Sequence, residues 1–224
     1  MTSVATQSKM EQSRIIVDKI NCQDYSKSSH LEWLETNGLG SFASGTVSGA
    51  NTRRYHGLLV ASLHPPVDRF ATLSKLEETL VVDGQRFELS SNQFPFTVNP
   101  KGYSFIQDFR LSPFPCWTYN LNGLLLEKTV FMVHGENTTV IRYEFLDPGS
   151  RFAVLAVQPF VAFRDYHSLA GENGSIQRLP EKDEPGLLQV RPYDGLPELQ
   201  LHQDRKSTRL NSSHSRASRM PSSA

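Results

Sequence analysis

The residues best suited to binding chemistry form one short cluster, Arg53, Arg54, Tyr55 and His56. The cluster lies near the end of a glycine-rich stretch, which has glycines at positions 38, 40, 45, 49 and 57. Guanidinium groups offer a fixed fork of donors, and the phenol and imidazole add further hydrogen-bonding groups, so the cluster suits hydroxyl or carboxylate ligands. On an extended segment Arg53 and Tyr55 would point to one side, and Arg54 and His56 would point to the other side. We therefore predict that one pair faces a polar cleft, while carboxylates or carbonyls hold the other pair.

A second cluster of the same kind, Arg164, Asp165, Tyr166 and His167, lies much later in the chain. Asp165 lies beside Arg164 and His167, which predicts a structural ion pair rather than a carboxyl group with a raised pKa. For Arg53 and Arg54 of the first cluster the alternative is a purely structural role, in which they form internal salt bridges in a tight turn region.

Several other chemistries are excluded by spacing. The glycine-rich stretch is not a phosphate loop, because no Gly-Lys-Ser/Thr ends it and no glycine follows Gly38-Leu39-Gly40 at the dinucleotide spacing. Cys22 and Cys116 are too few for a disulfide scaffold or a four-cysteine zinc site, and no histidine lies near them at ligand spacing. We therefore predict neither a metal nor an organic cofactor.

Residues 204–224 read as translated sequencing adapter rather than as protein. Codons of the common short-read adapter fit residues 204–214 and again residues 218–224 in the same frame, with an index between them. We therefore predict an artefactual, disordered tail, and we expect that the chain is the N-terminal piece of a longer protein. The alternative is a natural tail rich in serine and arginine.

The tail masks the charge of the rest of the chain. Its five basic residues and one acidic residue bring the formal net charge to +0, so residues 1–203 alone carry a net charge of −4. A mildly acidic domain does not favour nucleic-acid binding, which relies on clustered lysine and arginine. Residues 1–14 lack the apolar segment of a signal peptide, and no apolar run reaches the about 18 residues of a membrane span. We therefore predict a cytoplasmic protein.

The remaining pattern is one of strands. Two β-prone runs flank Asp83-Gly84, a strong hairpin signal, and further runs cover residues 124–133, 138–145 and 152–157. No segment of a dozen residues has a clean helical period, and the βαβ rhythm of a nucleotide fold is missing. The pattern predicts an all-β fold, a large antiparallel β-sandwich with few short helices. We expect this domain over residues 15–203, after a disordered N-terminus at residues 1–14.

One long motif carries a family resemblance. It comprises Asn37-Gly38-Leu39-Gly40, the run from Arg53 through Tyr55-His56-Gly57 to Ala61, Pro65-Pro66, Leu73 to Thr79, Pro159-Phe160 and residues 164–168. Together these segments resemble the N-terminal domain of bacterial and archaeal-type glycogen debranching enzymes, over roughly residues 32–201. Ser41 departs from the pattern, which more often has glycine there, and this affects the local turn geometry.

The resemblance implies an architecture and an activity. The β-sandwich would precede an (α/α)6 helical barrel, as in glucoamylase-like enzymes, and the barrel would carry the amylo-α-1,6-glucosidase activity that hydrolyses branch points of glycogen. The implied partners are the missing C-terminal barrel and glycogen or another α-glucan. A free-standing carbohydrate-binding or scaffold module without catalysis is the alternative.

We expect no catalytic residue in the chain itself. Glycoside hydrolysis needs two carboxyl groups about 5 to 10 Å apart, whereas the neighbours Glu77 and Glu78 would point to opposite faces of a strand. Glu32 and Glu35 would share a face only on a helix, and the run there looks too short for one. We therefore expect both clusters at the contact with the barrel, where they shape a sugar subsite or brace the interface.

Aromatic residues could also stack on sugar rings, although most aromatic side chains of a sandwich lie in its core. Trp117 is the best exposed candidate, because Pro113 and Pro115 predict a loop or an edge strand beside it. Trp117 is therefore the candidate for stacking on sugar, with a place in the core as the alternative.

Overall fold

The computed structural model describes residues 15–147, 149, 151–171, 186–208 and 210–218, and from residue 205 onward it describes the backbone alone. The predicted disordered segment at residues 1–14 lies outside these ranges. The described strands are β1 (Ile15–Val17), β2 (Glu32–Thr36), β3 (Phe42–Thr46), β4 (Gly57–His64), β5 (Val67–Val82), β6 (Gln85–Glu88), β7 (Ser91–Phe94), β8 (Thr97–Lys101), β9 (Ile106–Leu111), β10 (Pro115–Leu121), β11 (Leu124–Met132), β12 (Thr139–Phe145), β13 (Ala153–Asp165), β14 (Leu187–Val190), β15 (Leu199–Thr208) and β16 (Leu210–Ser218).

The helical segments are short. They are α1 (Lys19–Gln23), α2 (Tyr25–Ser28) and a 3₁₀ turn at Gly102–Phe105. Aspartates begin both α-helices, because the side chain of Asp18 accepts from the Asn21 amide at 2.9 Å and that of Asp24 accepts from the Ser26 amide at 3.0 Å. The prediction of an all-β fold with few short helices is therefore confirmed.

Two large antiparallel sheets carry the fold. The first has the order β1-β9-β10-β11-β12-β16-β15-β14, and the second has the order β13-β5-β4-β3-β2, with β6 paired to β5. The hairpin between β5 and β6 turns at Asp83 and Gly84, whose φ angles are 48° and 84°. Positive φ at both central residues defines the type I′ turn that the Asp-Gly pair predicts.

The core lies between the inner faces of these sheets. Along β11 the side chains of Leu124, Leu126, Val130 and Met132 are buried, which is the period-two pattern of a strand with one face inward. Trp33 of the second sheet meets Trp117 of the first edge to face, with ring centroids 5.5 Å apart. Aromatic pairs of this geometry stabilise the contact beyond the area that they bury.

The backbone of residues 199–208 and 210–218 forms a hairpin, and β16 pairs with β12 of the first sheet. We had expected no regular structure in residues 204–224. An edge strand offers unpaired amides and carbonyls to any extended segment, whatever its side chains. Backbone pairing therefore does not bear on the origin of the segment, and the adapter interpretation stays a prediction.

Candidate functional site

The glycine-rich stretch begins with a tight turn around Asn37. Its side-chain oxygen accepts from the amides of Leu39, at 2.8 Å, and Ser41, at 3.2 Å. Its amide group donates to the carbonyl of Glu136 at 2.8 Å, which ties the turn to the loop before β12. Gly40 has a φ of +96°, and a Cβ there would lie 2.6 Å from the carbonyl oxygen of Pro66, so the chain passes too closely for any side chain.

Ser41 uses its hydroxyl in this turn. The hydroxyl donates to the side-chain oxygen of Asn137 at 2.5 Å and accepts from the backbone amide of Ser62 at 2.7 Å. Asn137 in turn donates to the carbonyl of Ser62 at 3.0 Å. Ser41 is therefore a buried link between β4 and the loop before β12.

A second turn forms the segment before β4. The His56 amide donates to the carbonyl of Arg53 at 3.1 Å, so residues 53–56 are not extended. The pairs therefore differ from the predicted alternation. Arg53 and His56 face Glu32, with nitrogen-to-oxygen distances of 2.6 and 3.4 Å, whereas the other two side chains point toward residues 166–168.

His56 is held on both ring nitrogens. Nδ1 accepts from the amides of Thr52, at 3.1 Å, and Arg53, at 3.3 Å, so Nε2 carries the proton and faces the Glu32 carboxylate. Burial lowers the pKa of His56, and the nearby Glu32 carboxylate partly opposes this effect. The buried imidazole therefore supports the turn as a neutral group and does not line a cleft.

The two predicted clusters meet on the surface. Tyr55 packs against Tyr166 and His167, with ring centroids 5.6 and 5.8 Å away, and those two rings lie 3.9 Å apart. The Tyr55 hydroxyl and Nδ1 of His167 are 3.3 Å apart. We call Tyr55, Tyr166 and His167 the aromatic shelf. Tyr55 is 39 % exposed, so part of this shelf faces solvent.

Arginines brace the shelf through backbone carbonyls. Arg54 donates to the carbonyl of His167 at 2.8 Å, and Arg164 donates to the carbonyl of Arg54. Burial lowers the pKa of Arg164, and the neighbouring Arg54 adds to this effect. The predicted ion pair between Arg164 and Asp165 is not the contact that forms. Instead, the Asp165 carboxylate accepts from the His167 amide at 2.8 Å and shapes the turn.

Arg69 was missed by the sequence analysis. It donates to the Gly40 carbonyl at 2.6 Å, and its guanidinium lies 5.7 Å from the centre of the Tyr166 ring. It therefore links the glycine-rich turn to the shelf. No local pattern singles out this arginine, because its role depends on the fold of distant segments.

Trp117 is not on the surface, so the prediction of an exposed sugar-stacking residue is corrected. Its side chain is buried in the core, packs between Trp33 and Phe109, and donates from Nε1 to the Val47 carbonyl at 2.8 Å. The prolines do precede it, but Trp117 lies on β10, an interior strand between β9 and β11. One side of that strand faces the second sheet.

The carboxylates do not form a hydrolytic pair. Glu78 is buried in the core beside Lys128, whereas Glu77 pairs with Lys75 at 2.8 Å, so the two neighbours face different surroundings. Glu35 lies on β2 rather than on a helix, and burial raises its pKa to about 7.

No group of three or more possible metal ligands occurs among the described residues. None of the helices in this part of the chain has the length and apolar character needed to cross a bilayer.

Comparison with known proteins identifies one family. A family model described as "Glycogen debranching enzyme N terminal" matches residues 31–220. No curated protein matches the chain. The matched range includes most of residues 204–224, the segment that we interpret as adapter.

Proposed function

Since the chain belongs to the glycogen debranching enzyme N-terminal family, we propose that it is the non-catalytic sandwich domain of an enzyme that hydrolyses the α-1,6 branch points of glycogen. In this proposal the catalytic acids lie on a C-terminal (α/α)6 barrel, and the sandwich contributes contacts outside the reacting bond. Because glycogen is a cytoplasmic polymer, the enzyme would act in the cytoplasm.

The aromatic shelf supports a contact between the sandwich and α-glucan. A sugar ring has an apolar face and outward hydroxyls, so it suits an aromatic surface with hydrogen-bond donors beside it. Tyr55 offers an exposed ring, and Arg54 lies next to it with its guanidinium carbon 6.0 Å from the ring centre. The carbonyl contacts of Arg54 and Arg164 hold both segments in place, so binding would cost little ordering of the shelf.

Glycogen co-sedimentation tests this contact. We expect Tyr55→Ala to weaken binding by about two- to tenfold, since an aromatic contact contributes roughly 0.5–1.5 kcal/mol. Tyr25→Ala is the matched control, because Tyr25 is a partly exposed tyrosine that packs on Tyr103, 5.2 Å away between ring centres. Equal binding by the two variants would contradict the proposal.

Barrel docking is the second candidate for the same region. Phe160, Val161 and Leu169 are exposed by 41, 38 and 76 %, and they flank the shelf residues in sequence on β13 and just beyond it. Exposed apolar groups of this kind mark contacts with other domains. In a protein that carries the barrel, Phe160→Lys would then lower the melting temperature, whereas glycogen co-sedimentation of the present chain would be unchanged.

The free-standing binding module remains the alternative to an enzyme domain. It predicts that the chain binds glycogen as tightly alone as it does in any longer protein. A debranching enzyme predicts instead that hydrolysis of branched glucan appears only when the downstream sequence is present. Sequencing of the parent gene beyond the codon for Gln203, followed by an assay of glucose release, separates the two.

A further inference from the structure

A cavity lies between the two sheets, next to the point where β4 begins. Ser44 of β3 pairs with Gly57, the first residue of β4, so Gly45 and Thr46 continue past the start of their neighbour. The gap between β3 and β5 is bordered by the loop that contains Gly49 and Asn51. Its empty space, including the open mouth, is about 490 Å³, and its inner part has room for a few water molecules.

The walls of the cavity combine aromatic and neutral polar groups. Trp33, Trp117 and Tyr119 supply the aromatic part of the lining. Ser44 and Ser74 supply hydroxyls and Asn51 an amide. Ser44 also donates to the Tyr55 carbonyl at 3.2 Å, and Asn51 donates to the Ser74 hydroxyl at 3.1 Å. Such a mixture suits a ligand with carbon-bound hydrogens on one side and hydroxyls on the other. Much of this lining comes from the glycine-rich stretch. The proposed role of the aromatic shelf does not explain that part of the stretch.

The charged groups at the base already have partners. Lys128 lies 2.6 Å from the Glu78 carboxylate, which also accepts from the Tyr143 hydroxyl. Lys75 lies 2.8 Å from the Glu77 carboxylate and donates to the Ser91 carbonyl at 3.0 Å. Each cation is neutralised by its own carboxylate, so the cavity has no excess charge to attract an anion or a cation. A neutral ligand therefore fits best.

One donor in the wall has no partner among the described residues. Nε1 of Trp33 is buried there without a hydrogen-bond acceptor. A Cβ at Gly45 would lie 3.4 Å from this nitrogen, so the indole packs against the Gly45 backbone and a larger side chain there would crowd its N–H. Buried donors are almost always hydrogen-bonded, and a ligand oxygen would satisfy this one.

We propose that this cavity binds one small neutral polyol of about the size of glycerol, with a ligand hydroxyl accepting from Nε1 of Trp33. The site is separate from the aromatic shelf and does not depend on the proposed contact with α-glucan. Glycerol has the required size and chemistry and serves as the probe, and D-glucose, with the same chemistry in a larger molecule, tests the size limit.

Tryptophan fluorescence of the full chain reports on this site, because Trp33 and Trp117 are the two tryptophans of the sequence and both line the cavity. We expect a saturable change on titration with glycerol and none with D-glucose, which is larger than the inner part of the cavity. No saturable change with glycerol, or saturation by inorganic phosphate instead, would overturn the proposal.

Two variants separate binding from general solvent effects. Trp33→Phe removes the donor and keeps Trp117 as the reporter, and we expect the half-saturation concentration to rise about fivefold or more. Gly45→Ser crowds the indole N–H and offers its own oxygen, so it should abolish saturation. Polyols also stabilise proteins by exclusion from the surface, but that effect is not saturable and would be the same in all variants.

Tyr55→Ala distinguishes this proposal from the previous one. We expect it to reduce glycogen co-sedimentation and to leave the fluorescence titration unchanged, while Gly45→Ser does the reverse. If both cavity variants fold, as judged by a cooperative melting transition, and still saturate as the parent chain does, the cavity site is refuted. If either variant fails to fold, the other provides the test.

Discussion

Tyr55 and His56 are neighbours in sequence, but their side chains lie in different surroundings. Tyr55 reaches the surface and packs on residues contributed by the end of β13 and the turn beyond it. His56 is 4 % exposed and holds the preceding turn together through two amides and a carboxylate. The turn at residues 53–56 causes this difference, since it replaces strand-like alternation. We therefore assign a structural role to His56 and a surface role to Tyr55.

His56→Ala is expected to lower the free energy of unfolding by about 2 kcal/mol, because it leaves two backbone amides and the Glu32 carboxylate without their buried partner. Urea denaturation measures this loss, and glycogen co-sedimentation should not change. His64→Ala is the matched control, since His64 is 80 % exposed in its pair with Asp68 and should contribute little. Loss of glycogen binding by folded His56→Ala would contradict the structural role.

Protonation of His56 should also affect stability. Burial lowers its pKa in the folded state, so the unfolded state binds the proton more readily. The stability contributed by the neutral imidazole is therefore present above the ordinary pKa of 6.5 and is lost as the pH falls. This pH dependence has the opposite sign from that expected for Glu35.

Glu35→Gln is expected to stabilise the protein at neutral pH. Burial raises the pKa of Glu35 to about 7 from an ordinary value of 4.5. The folded state thus keeps a proton that the unfolded state releases, so stability is highest below pH 4.5 and falls as the pH rises toward 7. At pH 8 the variant should gain on the order of 1 kcal/mol, because part of the carboxylate remains solvated. The unfolding free energies of the parent chain and of Glu35→Gln are measured from pH 4 to pH 8, and parallel profiles for the two proteins would refute this expectation.

At the scale of elements, a buried ion pair links the two sheets. Glu78 of β5 lies 2.6 Å from Lys128 of β11 and accepts from the Tyr143 hydroxyl on β12. Burial raises the pKa of Tyr143 well above its usual range, and the Glu78 carboxylate adds to the effect. Lys128 occupies an inward position of an otherwise apolar strand face. Its charge is tolerated there because β5 of the facing sheet supplies the Glu78 carboxylate.

Lys128→Met should lower the free energy of unfolding by about 3 kcal/mol, since it leaves a buried carboxylate without a cation. The double variant with Glu78→Gln should recover much of this loss, because neither charge then remains unpaired. Urea denaturation of the parent, both single variants and the double variant gives the coupling energy. Losses that simply add in the double variant would show that the pair is not coupled.

At the scale of the whole molecule, the last described strands lie inside the first sheet, between β12 and its edge strand β14. β16 pairs with β12 on one side and with β15 on the other, through backbone hydrogen bonds. Leu199, at the start of β15, is fully buried in the core. The hydrophobic core therefore reaches at least this residue, while residues 204–224 are mostly polar in sequence. The segment thus divides into a part that fills the core and a part that extends the sheet.

A chain that ends at Gln203 should keep its fold. We expect the same β-sheet signal in circular dichroism and a melting temperature within about 5 °C of that of the full chain, because the removed residues are mostly polar in sequence. A chain that ends at Pro197 is the control, since it also loses Leu199 and Leu201 and should melt clearly lower. Loss of cooperative melting in the longer truncation would mean that the terminal hairpin is part of the domain.

The sequence by itself determined the fold class, the hairpin at Asp83 and Gly84, and the family. These features depend on local signals, namely strand periodicity, a turn that needs positive φ at two residues, and a long motif. Through the family resemblance it also predicted that the two clusters around Tyr55 and Arg164 lie at the contact with the barrel, and this stays a prediction.

Only the tertiary structure decided how those residues are used. It placed His56 against Glu32, brought Arg69 to the shelf, buried Trp117 in the core and opened a cavity beneath the glycine-rich stretch. Each of these outcomes depends on which distant strands pair and on where a neighbouring strand begins. Local patterns carry no information about such contacts, because the same short segment can face solvent or core according to what packs against it.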